Sequence, residues 1–221
     1  MIKDRNKKPE LVRALLLDVD GVVVDSIDDH IHTWQKAFKE TVGVEFDLQI
    51  IRLTEGMKSA DVARQILKYN EKLVSEEEIN EIVRQKHSFM KKIELIRINP
   101  HTKELMQIAK SRGIQTVLVT ASNKLRVESI ANLVGLDLID AIVSAEDTTI
   151  GKPASDPYIL GLEKIYCTPS EAIAVENAPR GIDSVQAAEI YCVALTSTLN
   201  SEFLSCADKV LVDPLEISSL L

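Results

Sequence analysis

Leu15-Leu16-Leu17-Asp18-Val19-Asp20-Gly21-Val22-Val23-Val24-Asp25-Ser26 is the stretch on which the fold of this chain turns. Three leucines run into two carboxylates spaced one residue apart, and a glycine follows. Carboxylates are depleted from strand interiors, so this pair marks the end of an apolar strand and points out of the sheet into water or onto a ligand. Gly21 then lets the backbone turn sharply.

Outward from this stretch, two textures divide the chain. From residue 27 to about residue 96 there is no strand pattern, and helical periods cover 29–42, 59–70 and 75–96. The last opens with Ser75-Glu76-Glu77-Glu78, a capping box. Beyond Asn99-Pro100, helix and strand alternate, with aliphatic runs at 116–119, 141–143, 173–175 and 192–195 and a late short run at 210–212. Near-continuous apolar strands alternating with helices are what a parallel sheet covered on both faces requires. The expectation is an α/β core made of residues 1–26 and 97–221, interrupted after its first strand by an all-helical block, residues 27–96. That block should lie as a lid over the C-terminal edge of the sheet, where such sheets bind ligands.

Composition narrows the function classes. The 221 residues are 45% hydrophobic and 27% charged, which describes a folded domain rather than a disordered or fibrous chain. A net charge of -8 argues against nucleic acid or an anionic membrane as the main partner. The lysines within residues 3–8 read as a solvated tail, no membrane span or secretory segment stands out, and a cytoplasmic protein is expected. Cys167, Cys192 and Cys206 are odd in number and lack metal-ligand spacing, so all three read as packing residues in a reducing compartment.

Chemistry-bearing residues recur at the predicted strand ends. Asp18 is ionised at neutral pH and can act as a nucleophile without a base. Toward a phosphoryl group it would need cations nearby to offset the repulsion of two anions. Asp20 could protonate a leaving oxygen and later take a proton from water. The second strand ends in Thr120-Ala121-Ser122-Asn123, a hydroxyl and backbone N–H groups at a helix start, suited to cradling phosphate; a plain N-cap by Ser122 or Asn123 is the alternative. Gly151-Lys152-Pro153 offers a cationic head held beside a rigid proline, against the alternative of an ordinary surface lysine. Glu176 and Asn177 end another strand with oxygen donors that suit a hard cation such as Mg²⁺, and Pro179 reads as a helix start. Each feature has a plain reading alone. Together they fall at the C-terminal ends of successive strands, where one ligand could touch them all.

In order and surroundings these residues resemble the four motifs of the haloacid dehalogenase superfamily of phosphotransferases, across nearly the whole chain. The resemblance implies a Rossmann-like parallel-sheet core with an inserted helical cap domain, as in the β-phosphoglucomutase and phosphoglycolate phosphatase branch. By it, Asp18 would form an aspartyl-phosphate and Asp20 would be the general acid/base. Thr120 would hold a phosphoryl oxygen, helped by Ala121 and Ser122, and Lys152 would neutralise Asp18 and the transferring group. Mg²⁺ would be held by Asp18, by the Asp20 backbone carbonyl, and by Glu176 and Asn177 directly or through water. Many relatives carry an acidic residue where Asn177 stands; the amide keeps an oxygen and removes a charge.

Substrate choice falls to the helical block. His30 and Trp34 lie one helical turn apart, so both could look toward the site, although core packing suits Trp34 better. His30 matches a histidine found in mutases and phosphatases of this branch alike. In Thr54-Glu55-Gly56-Met57-Lys58-Ser59, which resembles the cap's substrate-facing loop, Gly56 would allow close approach and Lys58 could meet an anion. The basic residues that β-phosphoglucomutases place at the positions of Glu55 and Ser59 are missing, which favours a phosphatase of a small phosphorylated metabolite over a mutase; Lys58 or Arg180 could supply the cation. A phosphoaspartate signalling module is disfavoured by the insertion, and a dehalogenase by the extra acidic and amide groups. The links at residues 24–27 and 97–100 should act as hinges, and a monomer or weak homo-oligomer is expected.

Overall fold

A computed structural model describes residues 7–93 and 95–221; residues 3–6 of the basic tail lie outside the described residues. Six parallel strands form one sheet: β1 (Ala14–Leu17), β2 (Gln115–Val119), β3 (Ala141–Val143), β4 (Ala172–Glu176), β5 (Tyr191–Leu195) and β6 (Lys209–Leu211), in the spatial order β3-β2-β1-β4-β5-β6. β1 occupies the centre, with Leu16 opposite Val117 on one side and Ala174 on the other. Every residue of β1 is buried, because side chains alternate between two faces and both are covered. Leu15 and Leu17 pack in one cluster with Leu105 of α5 (Pro100–Ser111) and Val127 of α6 (Lys124–Val134). Leu16 packs in the other with Tyr158 of α7 (Asp156–Lys164) and Ile182 of α8 (Pro179–Ala187).

The chain runs outward from β1 in both directions, to β2 and β3 on one side and to β4, β5 and β6 on the other. This reversal opens a crevice at the C-terminal ends of β1, β2 and β4. Strand β1 ends at Leu17, so Asp18 is the first residue beyond it.

Between β1 and α5 lie four helices, α1 (Ile27–Val42), α2 (Gln49–Thr54), α3 (Ser59–Tyr69) and α4 (Glu76–Lys91), with a separate apolar cluster around Ile31, Trp34, Phe38, Ile66 and Ile82. Ser75 and Glu78 form the expected capping box. The short α2 has no counterpart in the periodic reading of the sequence. Helix α4 stops at Lys91 instead of residue 96, because residues 97–99 pair antiparallel with 23–25. The pairing runs through Asp25 N–H to Arg97 O at 2.9 Å and Asn99 N–H to Val23 O at 2.9 Å. The returning chain must be extended to make this two-stranded neck, and the helix gives way to it.

Of the cysteines, Cys192 packs in the core as expected and Cys167 is half-buried, whereas Cys206 is exposed and is not a packing residue. Its place in the turn before β6 puts it outside both clusters. Among the described residues no helix is long and apolar enough to cross a membrane.

Candidate active site

Asp18 is buried at 3% exposure, a position an isolated carboxylate cannot hold cheaply. Its Oδ1 accepts a hydrogen bond from Lys152 Nζ at 2.6 Å, and the same ammonium donates to Glu176 Oε1 at 2.6 Å and to Val119 O at 3.2 Å. Lys152 is therefore a buried, fixed cation and not a surface lysine. Burial would lower its proton affinity, but Asp18 and Glu176 outweigh that and raise it. One lysine serves two buried carboxylates, so Asp18 remains short of positive charge: burial and the Glu176 charge push its carboxyl up against the pull of Lys152. Glu176 is saturated, with Tyr158 Oη donating to Oε1 at 2.6 Å and the Asn177 N–H donating to Oε2 at 3.1 Å. Gly181, in the first turn of α8, makes room for it: a Cβ there would stand 2.0 Å from the Glu176 carboxyl carbon.

Asp20 is held quite differently. Its Oδ1 accepts from Ser26 Oγ at 2.7 Å and Arg126 Nη2 at 3.0 Å, and its Oδ2 accepts from Ser122 Oγ at 2.7 Å. His30 Nε2 lies 3.3 Å from Oδ1, and on its other side His30 Nδ1 lies 3.3 Å from Glu55 Oε1. Burial would raise the Asp20 carboxyl, but the adjacent His30 charge, then Arg126, outweigh it and hold it well below the usual carboxylate range. Burial likewise opposes charge on His30, and Glu55 and Asp20 overcome it to raise His30. The two neighbouring aspartates thus face opposite environments.

Asn177 is 1% exposed; its Nδ2 donates to the Asp20 backbone O at 3.0 Å and to Thr198 Oγ1 at 2.6 Å. Those two acceptors fix which end of the amide points where. They leave Oδ1 buried and without a hydrogen-bond partner, an arrangement that costs free energy unless something fills it. Gly21, at φ +90, keeps this arrangement open, since a Cβ there would lie 2.0 Å from Asn177 Nδ2. Among the described residues no three histidine, cysteine or carboxylate side chains cluster to hold a metal. The donors available here are of another kind: one carboxylate, one amide oxygen and one backbone carbonyl.

Asp18 and Asp20 open onto a cavity of about 540 Å³ between the sheet edge and the helical insertion, bounded also by His30, Gly56, Thr120, Ala121 and Ser122 from the sequence reading, whereas Lys152, Glu176 and Asn177 are not among its lining residues. The family model of the haloacid dehalogenase-like hydrolases matches residues 15–195, which span every one of these positions. The chain belongs to this family. This haloacid dehalogenase-like hydrolase is 24% identical over 210 residues to validoxylamine A 7'-phosphate phosphatase of Streptomyces hygroscopicus subsp. limoneus, over 94% of this chain and 96% of that protein. It is 26% identical over 201 residues to hexitol phosphatase A of Escherichia coli strain K12, over 90% of each. The crystal structure of β-phosphoglucomutase from Clostridium difficile matches it with a TM-score of 0.83 at 25% identity, over 94% of this chain and 93% of that one.

In this family member the remaining expected residues separate. Thr120 Oγ1 accepts from the Ser122 N–H at 3.0 Å, and Asn123, not Ser122, caps α6 by accepting from the Arg126 N–H at 3.0 Å. Gly56, at φ +85, brings the insertion against the lysine: a Cβ there would lie 3.2 Å from Lys152 Cδ. Lys58 does not point into the cavity. Its ammonium docks on the core, donating to the carbonyls of Ala145 and Thr148, so it meets backbone and not a ligand. Arg180 also stays outside, turned to Asp183 one helical turn on.

Four cavity or site residues went unread in the sequence: Glu55 as a partner of His30, Lys86, Arg126 and Tyr158. A signal existed for Lys86, which sits between Ile82 and Met90 at four-residue spacing, a charge placed on the apolar face of α4.

Proposed function

We propose that the protein is a Mg²⁺-dependent phosphatase of a small phosphorylated metabolite, acting through an aspartyl-phosphate formed on Asp18. The observation that carries this reading is the pairing of Asp18, which lines the cavity, with the buried Lys152 at 2.6 Å. Asp18 Oδ2 has no hydrogen-bond donor among the described residues, so one oxygen is oriented by Lys152 and the other is free to attack phosphorus. Asp20 serves the leaving oxygen and the incoming water. Its ionised carboxylate is ready to take a proton from water, and His30, raised and 3.3 Å away, is the neighbouring group that holds one. The Thr120 hydroxyl and Ala121 face the space a phosphoryl group would fill, while Ser122 spends its hydroxyl on Asp20 and orients it.

The orphaned Asn177 Oδ1, the Asp18 carboxylate through its Lys152-facing oxygen, and the nearby Asp20 carbonyl are hard oxygen donors that fit Mg²⁺. When bound, such an ion supplies the positive charge that one lysine between two carboxylates does not. Glu176, with both oxygens engaged, supports the site through Lys152 and the Asn177 backbone. Residues 27–96 act as a cap hinged at the neck formed by 24–27 and 97–100, which excludes water during attack and lets product leave.

Water rather than a sugar hydroxyl is the acceptor in this reading, because the cap places the Glu55 carboxylate at the cavity beside His30, where a second phosphate-binding cation would serve a mutase. Phosphate release from a panel of small phosphate esters should require Mg²⁺ and vanish in Asp18→Asn; retained release there rejects Asp18 as nucleophile. Prompt conversion of β-glucose 1-phosphate to glucose 6-phosphate with a trace of the bisphosphate would decide for the mutase instead.

A further inference from the structure

Tyr158 lies in the first turn of α7, fully buried in the same cluster as Leu16 and Ala174. It does not line the cavity, so it does not touch a bound ester. Packing fixes the ring, and the ring fixes where the hydroxyl points: Oη donates to Glu176 Oε1 at 2.6 Å. Burial and the Glu176 and Asp18 charges raise the phenol well above its ordinary value, which keeps it a donor. Lys152 holds that same Glu176 oxygen, also at 2.6 Å. The ammonium is fully committed, since its three N–H groups have three acceptors, Asp18 Oδ1, Glu176 Oε1 and Val119 O. The two carboxylates it bridges are not equally satisfied. Among the described residues Lys152 is the only donor to the Asp18 carboxylate, whereas Glu176 has Tyr158 and the Asn177 N–H besides.

We infer that Tyr158 is a positioning residue for phosphoryl transfer: by sharing Glu176 Oε1 with Lys152, its hydroxyl satisfies that carboxylate and leaves the ammonium on the Asp18 side. This deepens the phosphatase reading and rests on it for the reaction. Two buried carboxylates compete for one cation, and the cation is drawn toward the one less well satisfied. A phenol is a neutral donor, so it meets part of what Glu176 needs without adding a charge that would repel Lys152. Lys152 Nζ also lies 5.1 Å from the centroid of the Tyr158 ring, so one side chain supports the ammonium with its ring and relieves its second carboxylate with its hydroxyl. With the hydroxyl gone, Glu176 Oε1 keeps Lys152 as its sole donor and draws it away from Asp18. Asp18 would then meet an anionic phosphoryl group with its own charge less compensated. The loss falls in the transition state, where Asp18 and phosphorus close up, and not in the binding of the ester by cavity residues that Tyr158 does not reach.

Tyr158→Phe isolates the hydroxyl, because the ring that fills the core and lies beside Lys152 remains. In steady-state assays of phosphate release kcat should fall about tenfold or more, the size expected of a hydrogen bond to a charged group, while KM stays within about threefold. In Glu176→Gln protein, where there is no charge to share, adding Tyr158→Phe should change kcat by less than about twofold. A tyrosine that only supported the fold would cost the same factor in both backgrounds. Orthovanadate, which takes the trigonal-bipyramidal shape of the transferring phosphoryl group, gives a readout without turnover. Titrated calorimetrically in MgCl2, it should bind Tyr158→Phe about tenfold more weakly than the parent, and this measurement decides where Glu176→Gln is inactive or fails to fold. An unchanged kcat in Tyr158→Phe, a loss carried by KM alone, an equal loss in both backgrounds, or an unchanged vanadate affinity overturns the inference. Failure of the phosphatase reading shows elsewhere, as absence of Mg²⁺-dependent phosphate release by the unsubstituted protein.

Discussion

Replacing Lys152 by methionine removes the charge at the centre of the site while keeping much of the side-chain volume. Lys152, Asp18 and Glu176 are 2%, 3% and 1% exposed, so no water replaces the lost ammonium. Breaking a buried ion pair by deleting one partner costs about 3–5 kcal/mol. At about 2–4 °C per kcal/mol for a chain of this size, the melting temperature should fall by about 6–20 °C. The sign with pH identifies the cause. Without Lys152 the Asp18 carboxyl, already raised by burial and by the Glu176 charge, protonates still more readily in the folded state than in the unfolded chain; a raised folded-state pKa gives stability that is present at acid pH and lost as pH rises through that pKa. The deficit of Lys152→Met relative to the parent should therefore be largest at pH 7–8 and shrink toward pH 4. Adding Asp18→Asn and Glu176→Gln should restore most of the melting temperature at neutral pH without restoring activity. Thermal unfolding followed by circular dichroism across that pH range measures all three proteins. A Lys152→Met protein that melts within about 2 °C of the parent at pH 7.5, where one kcal/mol would already show, refutes the claim that this lysine neutralises both carboxylates.

Asn177→Asp tests the orphaned oxygen. It replaces the amide donor to the Asp20 carbonyl, 3.0 Å away, with a second acceptor, so the metal-free protein should melt a few degrees lower while MgCl2 raises its melting temperature by more than it raises that of the parent; a smaller Mg²⁺ shift in the variant would count against a metal at this position. Gly181→Ala drives a Cβ to 2.0 Å from the Glu176 carboxyl carbon, and should cost about 1–3 kcal/mol of stability and most of the activity, checked by urea unfolding and phosphate release. His87, exposed at the cavity rim and hydrogen-bonded to Ser59 at 3.0 Å, is pushed down to about 4 by partial desolvation of its ring and by the Lys86 and His30 charges. The unfolded chain takes up that proton near pH 6.5 and the folded one only near 4, so stability falls with acidification across this window, and His87→Gln should flatten the fall between pH 6.5 and 4 in urea titrations.

Much of the fold was legible because its signals are local. Strand periods located all six strands to within a residue or two at each end, and the run from Leu15 to Asp18 marked the central one, since a strand buried on both faces must be aliphatic throughout. The boundary at Lys91 was not legible, because the residues after it are extended only through pairing with residues 23–25, far away in sequence. The same division holds in the site. Carboxylates, hydroxyl, lysine and amide at strand ends are visible in one dimension, because parallel strands bring their C-terminal ends to one edge whatever lies between.

What the sequence determined by itself is therefore the sheet, the helical insertion and the residue types gathered at the sheet's edge. Only the tertiary structure decided which cations reach the cavity. Lys58 and Arg180 carry the right charge at promising positions, yet one is spent on loop carbonyls and the other pairs along its own helix. Lys86 and Arg126 take their place. Helical spacing tells which residues share a face, but the direction that face points is fixed by how each helix docks on its neighbours, and docking is a property of the whole packed chain.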